Sequence, residues 1–221
     1  TGRRTPADDI RADEARAKLD DFAQVRRDRG AAEAGILRLF ASVHDIATER
    51  TLAAINEAFG SKSQSKVFSW HFTSLISEFA IKTNDSPIAL RNRAYDAYEL
   101  VTNFPDWVTS IETGKIDIPH SRAMLRHTGL LREDQYADYS SRLLEYAEGH
   151  SVAQTAAEAE RLVAEIAAAA YEEACKQARE DRFVRIKHDG FGMSDIHIRY
   201  PSELALAVKD KLDKEAKALR D

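Results

Sequence analysis

The stretch Glu78-Phe79-Ala80-Ile81-Lys82-Thr83-Asn84-Asp85-Ser86-Pro87-Ile88-Ala89-Leu90-Arg91-Asn92-Arg93-Ala94 reads as helix, polar turn, helix. Upstream of the turn, Phe68, Phe72, Leu75, Ile76 and Phe79 recur at helical spacing, which predicts a helix over about 67–80 with one apolar face. Thr83-Asn84-Asp85 stops it. Ser86-Pro87 then supplies a capping side chain and a proline whose fixed φ suits a first helical turn. The next helix runs to about Thr102 with Leu90, Ala94, Ala97, Leu100 and Val101 inward, and it exposes Arg91, Asn92 and Arg93. In a helix-turn-helix the start of the second helix enters the major groove, where Arg and Asn hydrogen-bond base edges and phosphates. The competing reading is two ordinary bundle helices whose outer residues are basic. Asp96, Glu99, Asp106, Glu112 and Asp117 dilute the patch.

Working toward the C-terminus, Asn103-Phe104-Pro105 is a turn, and Trp107, Val108 and Ile111 mark a short helix closed by Gly114. Gly114-Lys115-Ile116-Asp117-Ile118-Pro119-His120-Ser121-Arg122-Ala123 adds Lys115, His120 and Arg122 to the basic set, with Arg126 one turn on. Asp117 or Pro119 opens another helix with Ala123, Met124 and Leu125 inward. Residues 133–148 form a further amphipathic helix. Gly149 ends it and Ser151 caps the next, an Ala-rich helix from Val152 to about Arg179. Its stripe of small and apolar residues suits packing against another helix or a second copy of the chain. The period then switches to two. Arg182–His188 and Asp195–Tyr200 both alternate, and pairing Val184 with Ile198 and Ile186 with Ile196 centres a turn on Phe191. That predicts a β-hairpin over 182–200 with one apolar face. Pro201-Ser202-Glu203 starts a last helix, Leu204 to Leu219.

Toward the N-terminus, Ile10, Leu19, Phe22 and Val25 form a thin stripe in a charged segment that Gly30 is expected to end. A second helix is expected from about Glu33 to Ala58, with Ile36, Leu39, Phe40, Val43, Ile46 and Ala47 on one face. Gly60-Ser61-Lys62-Ser63-Gln64-Ser65-Lys66 reads as a polar linker. The expected organisation is an N-terminal helical arm, 1–60, ahead of a helical domain, 67–221. The fold class is mainly α: a multi-helix bundle with a helix-turn-helix-like segment and one C-terminal β-hairpin.

A chain of 221 residues with 43% hydrophobic and 31% charged side chains can bury a real core. Mean hydropathy is −0.47, and no long uncharged apolar run is present, so no membrane helix is expected. Thr1–Pro6 contains no apolar signal core, and one cysteine, Cys175, cannot form an internal disulfide; both point to the cytoplasm. The formal net charge of −5 excludes coating of nucleic acid by bulk charge, so any DNA contact must be a local basic patch.

The seven histidines do not fall at metal-ligand spacing, and a lone cysteine excludes a zinc ribbon. His188 and His197 fall on opposite faces of the expected hairpin. No phosphate-cradling Gly-rich loop or nucleophile elbow is present, and Gly190-Phe191-Gly192 is a turn. Carboxylates interleave with Lys and Arg at helical spacing, as on a solvated helix face. No catalytic residue, metal ligand or cofactor site is assigned.

From about Val67 onward the chain resembles the family known as domain of unknown function 222, also called the 13E12 repeat family. The matching landmarks are Glu78-Phe79-Ala80, Ser86 and Arg93-Ala94; then Phe104-Pro105, Gly114-Lys115-Ile116-Asp117 and His120-Ser121-Arg122-Ala123; then Asp181–Val184, Asp189-Gly190, Met193 and Pro201. Residues 78–125 are also similar to the helix-turn-helix region of ParB-type DNA-binding proteins, with Asp117 in place of a serine. The resemblance implies a non-catalytic domain that precedes an HNH endonuclease module. That module, with its His and Asn ligands to a divalent metal, is expected beyond Asp221.

Two functions stay open at this point. The first is DNA binding or targeting, with Ser86, Arg91, Asn92 and Arg93 facing the groove, and Lys115, Arg122 and Arg126, with His120 among them, meeting phosphates. The second is a protein-interaction or oligomerisation module acting through the Ala-rich helix, 152–179, without DNA contact.

Overall fold

The computed structural model describes residues 6–58 and 64–218. Its fold is mainly α, as the patterning predicts, with one antiparallel hairpin near the C-terminus. Helices α1 (Pro6–Ala58), α2 (Gln64–Thr83) and α3 (Pro87–Asn103) are followed by the short helices α4 (Pro105–Glu112) and α5 (Ile118–Leu125). Then come α6 (Tyr136–Ala147), α7 (Val152–Ile166), α8 (Ala168–Glu180), strands β1 (Phe183–Gly190) and β2 (Met193–Arg199), and α9 (Ser202–Ala218). The chain divides into two compact units, 1–162 and 163–221.

The α2–α3 turn forms for local reasons. Asn84 takes a left-handed conformation, φ 58°, which asparagine tolerates better than most non-glycine residues. Ser86 is extended, φ −68° and ψ 124°, as a residue before proline must be, and Pro87 occupies the first helical turn. Ser86 holds the N-cap position through its backbone carbonyl, which accepts from Leu90 N–H at 3.0 Å, while its side chain makes no capping bond. On α2 the buried residues are Phe72, Leu75, Ile76 and Ala80; on α3 they are Leu90, Ala94, Ala97 and Leu100. The four α2 residues, with Leu90 and Ala94 of α3 and Val43 and Ala47 of α1, make one apolar cluster, against which Phe40 and Phe68 pack.

The N-terminal segment departs from expectation. Gly30 does not end a helix: α1 runs through it unbroken. The glycine is a point of close approach, since a Cβ there would lie 2.1 Å from the Ile111 carbonyl oxygen at the end of α4. Gly114, with φ 73°, faces it from the other side, and a Cβ there would come within 3.2 Å of Arg27 Cα. The buried face of α1 is correspondingly made of small residues. Ala34, Ala41 and Ala47 are buried, with Leu37 and Val43 beside them, whereas Ile36, Leu39 and Ile46, expected on one face with Val43 and Ala47, are exposed. Small side chains let helix axes come close enough for backbone-to-side-chain packing, so they mark this face better than size does. Residues 34–47 therefore belong to the first unit's core. The polar stretch read as a linker overlaps residues 59–63, which lie outside the described residues.

Trp107 of α4 is fully buried and donates from Nε1 to Ser140 Oγ at 3.0 Å. Tyr139 of α6, also fully buried, donates from its hydroxyl to the Met124 carbonyl at 2.9 Å, and burial pushes its ionisation far above the ordinary tyrosine range. Truncating either ring would remove on the order of 3–5 kcal/mol, by analogy with other large aromatic deletions in cores. Helix α7 starts at a reciprocal cap: Gln154 Oε1 accepts from Ser151 N–H at 3.0 Å, and Ser151 Oγ accepts from Gln154 N–H at 3.4 Å. The single Ala-rich helix expected over 152–179 is two helices, broken at Ala167 (φ −123°, ψ 46°). Neither glycine nor proline marks that break.

In the second unit the hairpin has the register read from alternation, with Val184 opposite Ile198 and Ile186 opposite Ile196. Gly190, Phe191 and Gly192 all have positive φ, and a bulge follows His188. His188 Nδ1 lies 2.8 Å from Ser194 Oγ.

Candidate nucleic-acid interface

The basic residues chosen from the sequence separate into two classes once the chain is folded. Lys115 and His120 are used internally. Lys115 Nζ donates to both carboxylate oxygens of Glu148, each at 3.1 Å. Glu148 also accepts from Ser110 Oγ at 2.8 Å, and that hydrogen bond, followed by the Lys115 charge, holds its carboxyl below the ordinary glutamate range. His120 is 6% exposed. Its Nδ1 accepts from Asp117 N–H at 3.2 Å, closing the first turn of α5, and its Nε2 donates to the His150 carbonyl at 3.1 Å. His120 is buried, whereas Lys115 stays exposed at the surface while paired with Glu148.

Arg91, Asn92 and Arg93 of α3, and Arg122 and Arg126 at α5, are exposed. Among the described residues, none of these four arginines has a carboxylate within ion-pair distance. Other arginines nearby do: Arg26 and Arg29 pair with Asp117, Arg29 also with Glu33 at 3.6 Å, and Arg38 makes a two-pronged pair with Glu112 at 2.6 and 3.0 Å. The Arg38 hydrogen bond lowers the ionisation range of Glu112. Two of the five acidic residues that dilute the basic set, Glu112 and Asp117, are paired with arginines of α1. Asp117 and Glu112 neutralise its arginines and leave those of α3 and α5 unmatched.

Successive residues on a helix point about 100° apart, so Arg91 and Arg93 diverge by about 200° around α3. Arg91 shares the flank of Tyr98, which stacks on His44 with ring centroids 3.6 Å apart. Arg93 lies on the other flank, its guanidinium 5.5 Å from the Phe40 ring centroid. On that second flank, α1, α3 and α5 enclose a cleft of about 290 Å³. Arg93 and Asp96 from α3, Phe40 and Glu33 from α1, and Pro119 and Arg122 from α5 are among its walls. Arg93 and Arg122, far apart in the sequence, are brought together there. Burial raises the Asp96 carboxyl above the ordinary aspartate range, and the nearby Arg122 charge opposes that shift.

Sequence reasoning missed Asp96 and Phe40 as parts of a site. It treated Asp96 as unhelpful charge and Phe40 as core. The available signal was spacing, since Asp96 follows Arg93 by three positions and therefore shares its flank. Ser86 is exposed beside the turn, and Asn92 is exposed on α3, one turn before Asp96. Among the described residues no group of three or more His, Cys, Asp and Glu could hold a metal ion, and no helix is long and apolar enough to cross a membrane.

Residues 41–221 match the family described as Domain of unknown function (DUF222). No curated protein and no solved structure matches.

Proposed function

Because the chain belongs to the DUF222 family, whose function is unknown, its role must be argued from its own surface, and we propose that it is a DNA-contacting or targeting domain. The resemblance noted above adds that it acts as the non-catalytic N-terminal part of an HNH endonuclease. One observation carries the reading. Arg91, Arg93, Arg122 and Arg126 are exposed and, among the described residues, form no ion pair with a carboxylate, while the neighbouring Arg26, Arg29 and Arg38 of α1 are paired. An unpaired guanidinium is free to neutralise a phosphate and release its counterions, whereas a paired one must first give up its partner. On a body of net charge −5 such a cluster gives local contact. The divalent metal of an HNH module has no fitting donor set among the described residues, so no cleavage step is assigned to this chain.

The test is a titration of labelled duplex DNA at low and moderate salt, comparing the wild-type chain with Arg93→Ala/Arg122→Ala. Losing two phosphate contacts is expected to lower the logarithmic salt slope by roughly 2. Absent binding, or equal binding by both proteins, would overturn the reading.

A protein-interaction role draws on a separate observation. Val184, Ile186, Ile196 and Ile198, the apolar face of the hairpin, are all exposed, as are Leu204 and Leu212 of α9. An isolated two-stranded hairpin is marginal in water, and exposed apolar faces of this kind mark contact surfaces. The hairpin and α9 thus join the Ala-rich segment, 152–179, as surfaces for such contact. Light scattering against concentration tests self-association, with Ile186→Lys as the disrupting variant; a monomer at all concentrations excludes it.

A further inference from the structure

We propose that the cleft between α1, α3 and α5 is a binding site for a single guanine base, supplied either as a free nucleotide or as an unpaired position in DNA. This deepens the DNA-contacting reading and rests on it for the second source only.

The cleft, about 290 Å³, is of single-ligand size and combines apolar walls with few polar groups, as small-molecule sites do. Besides Ser121, and Glu33, which pairs with Arg29 at 3.6 Å, its polar groups are of two kinds. Arg93 and Arg122 provide forked N–H donors. Asp96 provides a half-buried carboxylate that, among the described residues, makes no hydrogen bond or ion pair, although the Arg122 charge acts on it. A carboxylate kept partly out of water without a partner is unfavourable, and its raised ionisation range reflects that. The Arg122 charge offsets this only in part, and a ligand that donates to the carboxylate would supply the hydrogen bonds it lacks.

The ligand must therefore offer N–H donors to a carboxylate and acceptors to a guanidinium in one flat body. Among the bases, guanine does both. Its N1–H and 2-amino group can donate together to the two oxygens of one carboxylate, while O6 and N7 accept from Arg in a two-pronged contact. Adenine and cytosine present one amino donor and lack the paired edge. Phe40, already layered under the Arg93 guanidinium, and Pro119 give the flat apolar surfaces on which a base can stack. Asp96 takes the donor edge, Arg122 the O6/N7 edge, and the Arg93–Phe40 layer forms one wall.

The experiment is isothermal titration of the full chain with dGMP, dIMP, dAMP and inorganic phosphate. The expected order is dGMP tightest, with dIMP, which lacks the 2-amino group, at least tenfold weaker, and phosphate alone weaker still. Asp96→Asn removes one of the two acceptors and should abolish the preference for dGMP over dIMP. If dGMP, dIMP and dAMP bind alike, or phosphate binds as well as dGMP, the arginines act as a plain anion site and the proposal fails. The dGMP/dIMP comparison uses unaltered protein and holds even if the variant misfolds. Arg91→Ala/Arg126→Ala lies outside the cleft: it should weaken duplex binding and leave dGMP binding intact, which separates failure of this site from failure of the broader DNA reading. A duplex carrying one unpaired guanine, compared with one carrying unpaired adenine, distinguishes the two sources. Preference for the former places the base in DNA; equal binding with retained dGMP selectivity assigns the cleft to the free nucleotide.

Discussion

Replacing Gly30 by alanine tests how α1 is held. In a solvent-exposed helix interior the change should stabilise by ~1 kcal/mol, because alanine loses less backbone entropy and has the higher helix propensity. Here the added methyl would sit 2.1 Å from the Ile111 carbonyl oxygen, where ordinary contact begins at 3.4 Å. The backbone must therefore retreat by more than an ångström. The same oxygen accepts the Gly114 N–H at 2.9 Å, so the retreat also strains the turn between α4 and α5. Overpacking of this kind costs ~1–3 kcal/mol, and a weakened turn hydrogen bond adds ~1 kcal/mol. Set against the propensity gain, the net loss is ~1–3 kcal/mol, which for a chain of this size lowers Tm by roughly 2–10 °C. Gly35 is the internal control. It lies in the same helix with nothing within 4 Å of its ideal Cβ, so Gly35→Ala should raise Tm by ~2–4 °C. Thermal and urea unfolding read by the fluorescence of buried Trp107 would report both. A Gly30→Ala protein as stable as wild type, beside a Gly35→Ala protein that gains as expected, refutes the close approach of α1 to α4.

Lys115→Ala should leave the affinity for duplex DNA and its salt slope unchanged, because Lys115 is committed to Glu148; Arg122→Ala should lower both, and equal effects would show that ion pairing does not decide which cations reach DNA. Tyr139→Phe should destabilise by ~1–3 kcal/mol, since it strips the Met124 carbonyl of a buried donor; an unchanged urea midpoint counts against that bond. Asp96 gives a pH signature with a definite sign. Its folded-state ionisation range is raised, so its contribution is fully favourable below the unfolded value and is lost as pH rises through the folded one. Asp96→Asn should therefore be more stable than wild type at neutral pH, with the difference vanishing in acid; paired urea titrations at pH 3 and 7 check it, and a difference that grows in acid reverses the assignment.

Much of the fold was legible because its cues are local. The α2–α3 turn follows from Asn84, Ser86 and Pro87, whose backbone preferences act within a few residues. The hairpin register follows from a period of two, since a slip of one residue would exchange its faces. Helix α1 was misread for the opposite reason. Glycine carries two meanings, helix stop and close approach, and only a neighbour distant in sequence distinguishes them. Ile36, Leu39 and Ile46 were expected inward by size, yet the helix faces its neighbours through alanines. The break at Ala167 left no residue signal at all. Among the site residues, solvent exposure of Arg91, Asn92, Arg93, Arg122 and Arg126 followed from helix phase, while the pairing of Lys115 with Glu148 and the burial of His120 did not.

From the order of its residues alone, then, this protein is a chain of helices closed by a hairpin, with a basic segment after a capped turn. Those properties come from backbone preference and side-chain period, which each segment carries with it. Which arginines stay free, which carboxylate is left without a partner, and that Arg93 and Arg122 border one cleft were decided by folding. Charge pairing and desolvation depend on distances between segments, and those distances exist only once α1 has laid its small face against α3 and α4.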